Sequence, residues 1–512
     1  MSLRLVATPL EHPLEPPEPR AGARAGAIDA LAPAFLASIT RDAQLARLRA
    51  PDALAVTTGQ QPGLFTGPLY TIHKALSAAA LAAELEARWS RPVVPVFWLA
   101  GDDHDFAEAS SASWIAADGS VATAALPPRP ADAPLTPMYR TPLGEGVRPA
   151  LDLLAAGLPV SEFRDATLAW LERHYRPEAT VAGSYGGAMA ELLGPLGILT
   201  FDSTHPAAKS AAAPHLVRAL QQARQLDDDL DRWAESRGVT ARTSGITVGD
   251  GAALVMVEAS LGRDRLVQDG DAFVTRRSRE RFDLRAIERL AAEAPTRLSP
   301  NVLLRPVVES ALLPTVAYLG GPGELRYLAL TPPIYQRLEV PRQRPLPRWS
   351  GAIVEPRVER VLEKFGVALS DLYAAPGVLE ARLVRSQLPA EAVGALERLR
   401  HALDEEYAVL ERAATEIDPT LTRPIQSARQ QALGGSQDIE KKLVQHLKRR
   451  QETELGQLAR ARTAIVPNGK PQERVLTVAP FLARFGPGLL EELAGAFRTW
   501  YRAALEAPSQ TA

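Results

Sequence analysis

The chain has 512 residues, 58 Lys and Arg against 60 Asp and Glu, 46% hydrophobic residues and no cysteine. A formal net charge of −2 gives no global electrostatic attraction to nucleic acid or to an anionic membrane. Without a thiol there is no cysteine nucleophile, thiolate zinc site, cysteine-ligated cluster or disulfide framework, so any cysteine in its chemistry arrives as a ligand.

At roughly 150 residues per domain, the length predicts about three domains and ample core. The N-terminal residues 1–27 are charged and proline-rich, and no segment approaches the roughly 20 apolar residues of a membrane span. A cytoplasmic protein with no membrane partner is expected. Proline clusters at Pro13 to Pro19, Pro127 to Pro137 and Pro332 to Pro347, which marks candidate boundaries.

In chain order, Leu54 to Thr58 is a short apolar, β-branched run ending at Gly59, Tyr70 to Arg88 reads as an alanine-rich helix, and Val93 to Leu99 is a second continuous apolar run. Strand, glycine-rich loop, helix, strand opens a βαβ unit and predicts an α/β protein with a parallel sheet. Ile198 to Asp202 and Thr315 to Leu319 read as two more buried strands. Segments of about 107–180 and 240–295 look inserted. Trp114 to Ala124 is a hairpin candidate around Asp118-Gly119, and Ala252 to Val274 alternates apolar stretches with turns at Gly262 and Asp269-Gly270. These insertions are expected to decorate the sheet.

From Pro376 the texture becomes charged helix. Leu396, Leu403, Leu410 and Ile417 recur every seven residues, with Leu399 adjacent; Pro419 and Pro424 interrupt before a second charged stretch from Ile425 to Ile465. This predicts an antiparallel hairpin with short coiled-coil character, used for dimerisation or packed on its own domain. Lys441-Lys442 and Lys448-Arg449-Arg450 are balanced by Glu440, Glu452 and Glu454, so a solvated face is favoured over a nucleic-acid contact. The expected organisation is a core over 1–375, a helical arm over 376–465 and a segment over 466–512 that packs back on the core.

Three segments carry candidate chemistry. In Thr58 to Lys74, three glycines let backbone amides approach a ligand and the following helix offers its positive end to an anion, to which His73 and Lys74 add donors. A structural glycine turn is the alternative, since the run matches neither standard phosphate loop. Gly101-Asp102-Asp103-His104-Asp105 follows an apolar strand directly, where ligands of open parallel sheets bind. Its carboxylates and imidazole suit a metal ion, proton transfer from an amine or an ammonium group, with a solvated turn capped by Asp as the alternative; no second histidine cluster supports a fixed zinc site. Third, Leu298 to Pro306 contains Asn301 and Arg305, a candidate anion clamp or equally a structural ion-pair partner, and Val316 to Glu324 repeats the strand-to-glycine-loop pattern with Glu324 as a helix cap or amine ligand. No G-x-S-x-G elbow is present, and Ser184 has no visible base.

Thr58 to Lys74 (TGQQPGLFTGPLYTIHK), Pro95 to Phe106 (PVFWLAGDDHDF), Ser299 to Pro306 (SPNVLLRP), Leu313 to Glu324 (LPTVAYLGGPGE) and Pro467 to Arg474 (PNGKPQER) together resemble the BshC family, the cysteine-adding enzymes of bacillithiol biosynthesis. The resemblance implies a Rossmann-like core related to class I aminoacyl-tRNA synthetases, inserted connecting segments, and a C-terminal coiled-coil domain that makes a homodimer. It implies a ligase that joins cysteine to glucosaminyl malate in the last step of bacillithiol formation. On that reading His73, Lys74, Asp103 and Asp105 are the catalytic candidates. Gln60, Gln61, Thr66, Tyr70, Asp102, His104, Asn301, Arg305, Tyr318, Gly320, Gly321 and Glu324 are the substrate-binding candidates. Pro68 to His73 loosely resembles the synthetase HIGH element, but no KMSKS loop is visible and Lys470 is a weak substitute. The cofactor therefore stays open, with ATP and magnesium the natural means of carboxyl activation. Another amino-acid-activating or nucleotidyl-transferring enzyme, or a non-catalytic dimeric scaffold, are the alternatives.

Overall fold

The computed structural model describes residues 3–22, 25–246, 248–249 and 251–506. It divides into two compact units, Leu5–Ala352 with Pro471–Ala512, and Ile353–Lys470 with Met1–Arg4.

The larger unit is built on a five-stranded parallel sheet of β1 (Leu54–Gln60), β2 (Val93–Leu99), β3 (Leu199–Asp202), β4 (Thr315–Gly320) and β5 (Arg344–Pro347), in the order β5-β4-β1-β2-β3. Every residue of β2 is buried, as a strand covered on both faces requires. Threonines in β1 remain compatible with burial because their hydroxyls are bonded; Thr58 Oγ1 donates to Leu319 O at 2.8 Å. The chain passes from β1 to β2 and β3 on one side, then returns to β4 on the other. The direction of winding therefore reverses between β1 and β4, and ligands bind at the carboxyl ends of such a pair.

Helix α1 (Tyr70–Trp89) connects β1 to β2, and its many alanines permit close packing on the sheet. The C-terminal helix Gly488–Glu506 lies along it: Arg498 and Arg502 both bond the buried Glu84, at 2.6 and 2.9 Å. Helices α2 (Pro206–Gln221), α3 (Arg305–Leu312) and α4 (Pro322–Leu328) follow β3, precede β4 and follow β4.

The loop before α1 differs from the sequence expectation. Leu64, Phe65 and Thr66 are buried, and Phe65, Thr66 and Gly67 hold φ of 48°, 71° and 68°, a left-handed run that is costly for the first two. Tyr175 pins it by accepting the Thr66 N–H at 2.8 Å, and Thr477 Oγ1 donates to Phe65 O at 2.7 Å. A Cβ on Gly63 would stand 2.9 Å from the Gly67 Cα, so the glycines pack against one another. The amides of Thr66, Gly67 and Leu69 are all bonded within the fold and are not free to hold a phosphate.

Ser111–Ile115 and Val121–Ala125 form the expected hairpin, turned at Gly119 with φ 88°. A second, antiparallel sheet contains Ala252–Ala259, Gly262–Asp269, Ala272–Thr275, Arg281–Asp283 and Leu298–Pro300. It is more than decoration, because its central strands supply side chains to the cavity described below.

In the smaller unit, α5 (Ala390–Ile417) and α6 (Thr422–Arg450) form an antiparallel hairpin. Arg429 Nε meets Asp404 at 2.9 Å and Gln426 meets Glu411 at 2.6 Å, which fixes the register. The break falls at Pro419–Leu421, while Pro424 is accommodated in the first turn of α6, where no intrahelical donor is lost. The second stretch is not one helix: it ends at Arg450, and a separate helix runs over Glu452–Ile465. No described helix is long and apolar enough to cross a membrane.

Candidate functional site

A cavity of about 510 Å³ opens beyond the carboxyl ends of β1 and β4. One wall is Gly59, Gln60 and Gln61 from the end of β1, and another is Asp102, Asp103 and His104 from the loop after β2. Asn301 and Arg305, then Gly321 to Glu324, close a third side; Tyr70, Tyr318 and Arg348 complete the base. The position is the one that the strand order predicts.

Lys74 lies one layer beneath this surface, with its side chain 1% exposed. Its three N–H donors are matched by three acceptors: Gly59 O, Gln60 Oε1 at 3.1 Å and Glu324 Oε2 at 2.7 Å. Burial pushes its ammonium below the ordinary range, and the Glu324 charge partly offsets this. Burial by itself would raise the Glu324 carboxyl, but the charge of Lys74 and hydrogen bonds from Lys74, Gly321 N–H (2.9 Å) and Tyr318 OH (2.7 Å) hold it below the ordinary range. The cavity thus presents a fixed carboxylate at the mouth of β4.

Across from it, Asp102 accepts from Lys209 Nζ at 2.5 Å, and Lys209 also donates to Leu298 O at 2.8 Å. Asp103 Oδ1 accepts the Asp105 N–H at 2.9 Å, which folds the loop so that Asp103 and His104 both line the cavity. His104 is pushed below the ordinary histidine range, first by burial and then by the neighbouring Arg263 charge. Arg263 is itself held by Ser299 Oγ at 2.9 Å and Pro300 O at 2.8 Å.

Arg305 donates through Nη1 to the buried Glu309 at 2.7 Å and lies 4.8 Å from the Tyr318 ring centroid. Its Nη2 is buried without a well-formed hydrogen bond, with the Tyr327 hydroxyl nearby. Gln61 Nε2 is a second buried donor without a partner. With Arg263 and Arg265, these groups suit an anionic ligand such as a carboxylate or phosphate. No cluster of three or more metal-ligating side chains occurs among the described residues.

Of the residues singled out from sequence, Gln60, Gln61, Tyr70, Asp102, Asp103, His104, Asn301, Arg305, Tyr318, Gly321 and Glu324 line this one cavity. Lys74 supports it from below. His73 points elsewhere: its Nδ1 is 3.0 Å from Glu473 Oε2, and its ring packs edge-on against Trp349 and Phe497. Thr66 is buried in the strained loop, Gly320 is buried within β4, and Asp105 caps the short helix Phe106–Ala109. Lys470 is exposed in the smaller unit.

Sequence reasoning missed Lys209, Arg263, Arg265 and Arg348. Signals existed for three of them. Lys209 interrupts an alanine-rich stretch just after β3, and Arg263 and Arg265 alternate on one face of a strand. Arg348 makes a two-point ion pair with Glu473 at 2.7 and 2.8 Å, a contact between residues 125 apart that has no local trace.

Residues 28–349 match the family model described as Bacillithiol biosynthesis BshC, N-terminal Rossmann-like domain, and residues 351–500 match its C-terminal coiled-coil domain. Proteins named "Putative cysteine ligase BshC" are similar over most of the chain. That of Prosthecochloris aestuarii is 30% identical over 474 residues, 89% of this chain and 82% of its own length. That of Symbiobacterium thermophilum is 32% identical over 463 residues, covering 86% and 82%. That of Chlorobaculum tepidum is 31% identical over 481 residues, covering 90% and 84%.

Proposed function

The chain belongs to the BshC family of bacillithiol biosynthesis, and on that premise we propose that it is a ligase joining cysteine to glucosaminyl malate, as the last step, through activation of the cysteine carboxyl. The observation that carries this reading is the mixed lining of one cavity at the β1/β4 switch point, where the carboxylates of Asp103 and Glu324 stand with the guanidiniums of Arg263, Arg265 and Arg305. Both substrates are zwitterionic or anionic, and each needs both signs of charge to be oriented.

In amide formation the amine nitrogen bonds to the cysteine carbonyl carbon, a carbon–oxygen bond breaks, and the amine gives up a proton. Glu324, fixed by Lys74, Tyr318 and Gly321, is suited to hold the cysteine ammonium. Asp103, next to His104 in the cavity lining, is suited to orient the amine of glucosaminyl malate and accept its proton. The guanidiniums of Arg305, Arg263 and Arg265 in the cavity lining suit the malate carboxylates or a phosphate. ATP with magnesium, when bound to such cations, would supply the leaving group that a free carboxylate lacks. Lys74 and His73 are positioning residues on this reading, the one behind Glu324 and the other behind Glu473 and Arg348. The proposal includes a core related to class I aminoacyl-tRNA synthetases and a homodimer formed through the arm.

The test is mass-spectrometric product detection after purified protein is mixed with glucosaminyl malate and cysteine, with and without ATP and magnesium. Cysteinyl product that requires ATP, and that falls about a hundredfold or more in Asp103→Asn, is expected. Product without ATP would remove the activation step, and no product in any mixture would remove the ligase reading.

A further inference from the structure

The antiparallel sheet carries a row of arginines that no carboxylate balances. Arg263 and Arg265 stand two residues apart on the strand Gly262–Asp269, so they share a face, and both line the cavity. Arg276, one residue past the strand Ala272–Thr275, stands opposite Arg265: Leu266 pairs with Thr275 in register, and the Arg276 N–H donates to Arg265 O at 2.9 Å. Arg263 and Arg265 are half-buried and Arg276 is exposed, so the row runs from the cavity to its outer rim.

The frame under this row is fixed from behind. Asp264 alternates onto the opposite face, where it is 2% exposed. Its carboxylate accepts the Arg277 N–H at 2.9 Å, the Ser278 N–H at 2.8 Å and the Ser278 hydroxyl at 3.2 Å. One buried side chain thus ties the turn that carries Arg276 to the strand that carries Arg263 and Arg265.

Among the described residues, no carboxylate forms an ion pair with Arg263, Arg265 or Arg276. Arg263 is held by neutral acceptors, and Glu258, which faces it in register, is taken by Arg140 at 2.8 Å and by the Tyr139 hydroxyl. Arg265 is pushed below the ordinary guanidinium range, first by burial and then by the charges of Arg276 and Arg263. Arg305 differs, because Glu309 balances it at 2.7 Å. Like charges held together on one frame repel one another, and a ligand with two negative charges relieves that repulsion. Neighbouring side chains on such a sheet start about 5–7 Å apart, so two guanidiniums can each take one end of a four-carbon dicarboxylate.

The row also lies beside the candidate amine site. Arg263 Nη1 is 3.5 Å from His104 Nδ1, next to Asp103. Glucosaminyl malate carries its amine and its malyl group on adjacent ring carbons, so an amine at Asp103 brings the malyl carboxylates to these arginines. Glu324 and Arg305, which suit the amino acid and its activating phosphate, form a separate wall.

We propose that Arg263, Arg265 and Arg276 form a dicarboxylate site that seats the malyl group of glucosaminyl malate, and that free L-malate binds there by itself and competes with that substrate. The identity of the substrate rests on the ligase reading; the preference for a dicarboxylate rests on the arginine row.

The test is calorimetry on the full chain without nucleotide, using L-malate, L-lactate and inorganic phosphate in turn. L-malate is expected to bind, with lactate, which has one carboxylate fewer, and phosphate each weaker by about tenfold or more. Arg265→Gln is expected to weaken L-malate by about tenfold or more, and Arg265→Lys, which keeps the charge without the fork, by less. Arg276→Gln changes an exposed side chain and is expected to weaken L-malate by about threefold, which keeps the test open if the Arg265 variants do not fold. Saturating L-malate is expected to weaken glucosaminyl malate by about tenfold or more and to leave cysteine within about twofold. No binding of L-malate, equal binding of phosphate, folded variants that keep the parent affinity, or L-malate that displaces cysteine instead would overturn the site. Product formation is read separately, so a chain that binds L-malate through Arg265 but makes no amide would sink the ligase reading and leave the dicarboxylate site standing.

Discussion

At the scale of single residues, the most heavily bonded charged group beside the cavity is Glu473. It accepts both guanidinium nitrogens of Arg348, the Ser350 hydroxyl at 2.5 Å and His73 Nδ1 at 3.0 Å, and its side chain is 5% exposed. Burial alone would raise its carboxyl, but the hydrogen bonds from His73 and Arg348 and the Arg348 charge hold it well below the ordinary carboxylate range. Glu473→Gln leaves the Arg348 charge buried and uncompensated, so a loss of about 3–5 kcal/mol in urea unfolding at pH 7 is expected. The pH dependence has a definite sign. A carboxyl whose folded pKa is depressed stabilises the fold above its unfolded value, near 4.5, and loses that contribution as pH falls toward the folded value. The stability gap between the parent chain and Glu473→Gln should therefore stay constant from pH 7 to about 5.5 and narrow progressively as pH falls below about 4.5. A gap that does not narrow at all between about pH 4.5 and pH 3 would mean that the carboxylate is not the stabilising group. His73 contributes in a different window, since burial lowers its pKa and the unfolded chain binds the proton first, so its folded form is disfavoured as pH falls below about 6.5.

At the scale of elements, the loop between β1 and α1 is a strained structural plug. Its left-handed Phe65 and Thr66 persist because Tyr175 and Thr477 bond their backbone. Tyr175→Phe removes the acceptor of the buried Thr66 N–H, and a loss of about 1–3 kcal/mol, measured as a lower urea midpoint with unchanged m-value, is expected. An unchanged midpoint would mean that the loop conformation does not depend on this bond. The same loop shows where sequence reading stops. β2 is legible because a strand buried on both faces leaves an unbroken apolar run, and α1 because its alanines repeat without a breaker. Glycines 59, 63 and 67 are equally visible, but sequence does not distinguish a glycine that admits a ligand from one that admits another glycine, as Gly63 and Gly67 do. His73 and Lys74 are adjacent in sequence and look like one pair. One helical step of about 100° separates them, which turns His73 toward Glu473 and Lys74 toward Glu324. Lys209 meets Asp102 across 107 residues, so that pairing is a property of the folded sheet and leaves no mark in either segment alone.

At the scale of the whole molecule, the heptad line of the arm is only half covered by its own hairpin. Leu396 is buried and Leu403 half-buried, but Leu410 is 54% and Ile417 81% exposed on α5, and Ile439 is 50% exposed on α6. Val409 and Leu421 add to the apolar surface near the tip. A charged hairpin that leaves large aliphatic residues in water at helical spacing has the pattern of a coiled-coil seam awaiting a second copy. The polar contacts within the hairpin, Arg400 with Glu440 and Arg429 with Asp404, are already satisfied inside one chain, so they set its register and leave these apolar positions exposed. On the homodimer reading, the full chain should show twice its 55.1 kDa mass by light scattering. Leu410→Glu combined with Ile417→Glu should return it to a single chain, because like charges would face each other across a desolvated seam while neither residue supports its own fold. Far-ultraviolet circular dichroism of the double variant should match the parent, which separates loss of association from loss of the hairpin. A parent chain that scatters as one copy at every concentration would remove the dimer, and a double variant that stays dimeric would move the interface off the arm tip.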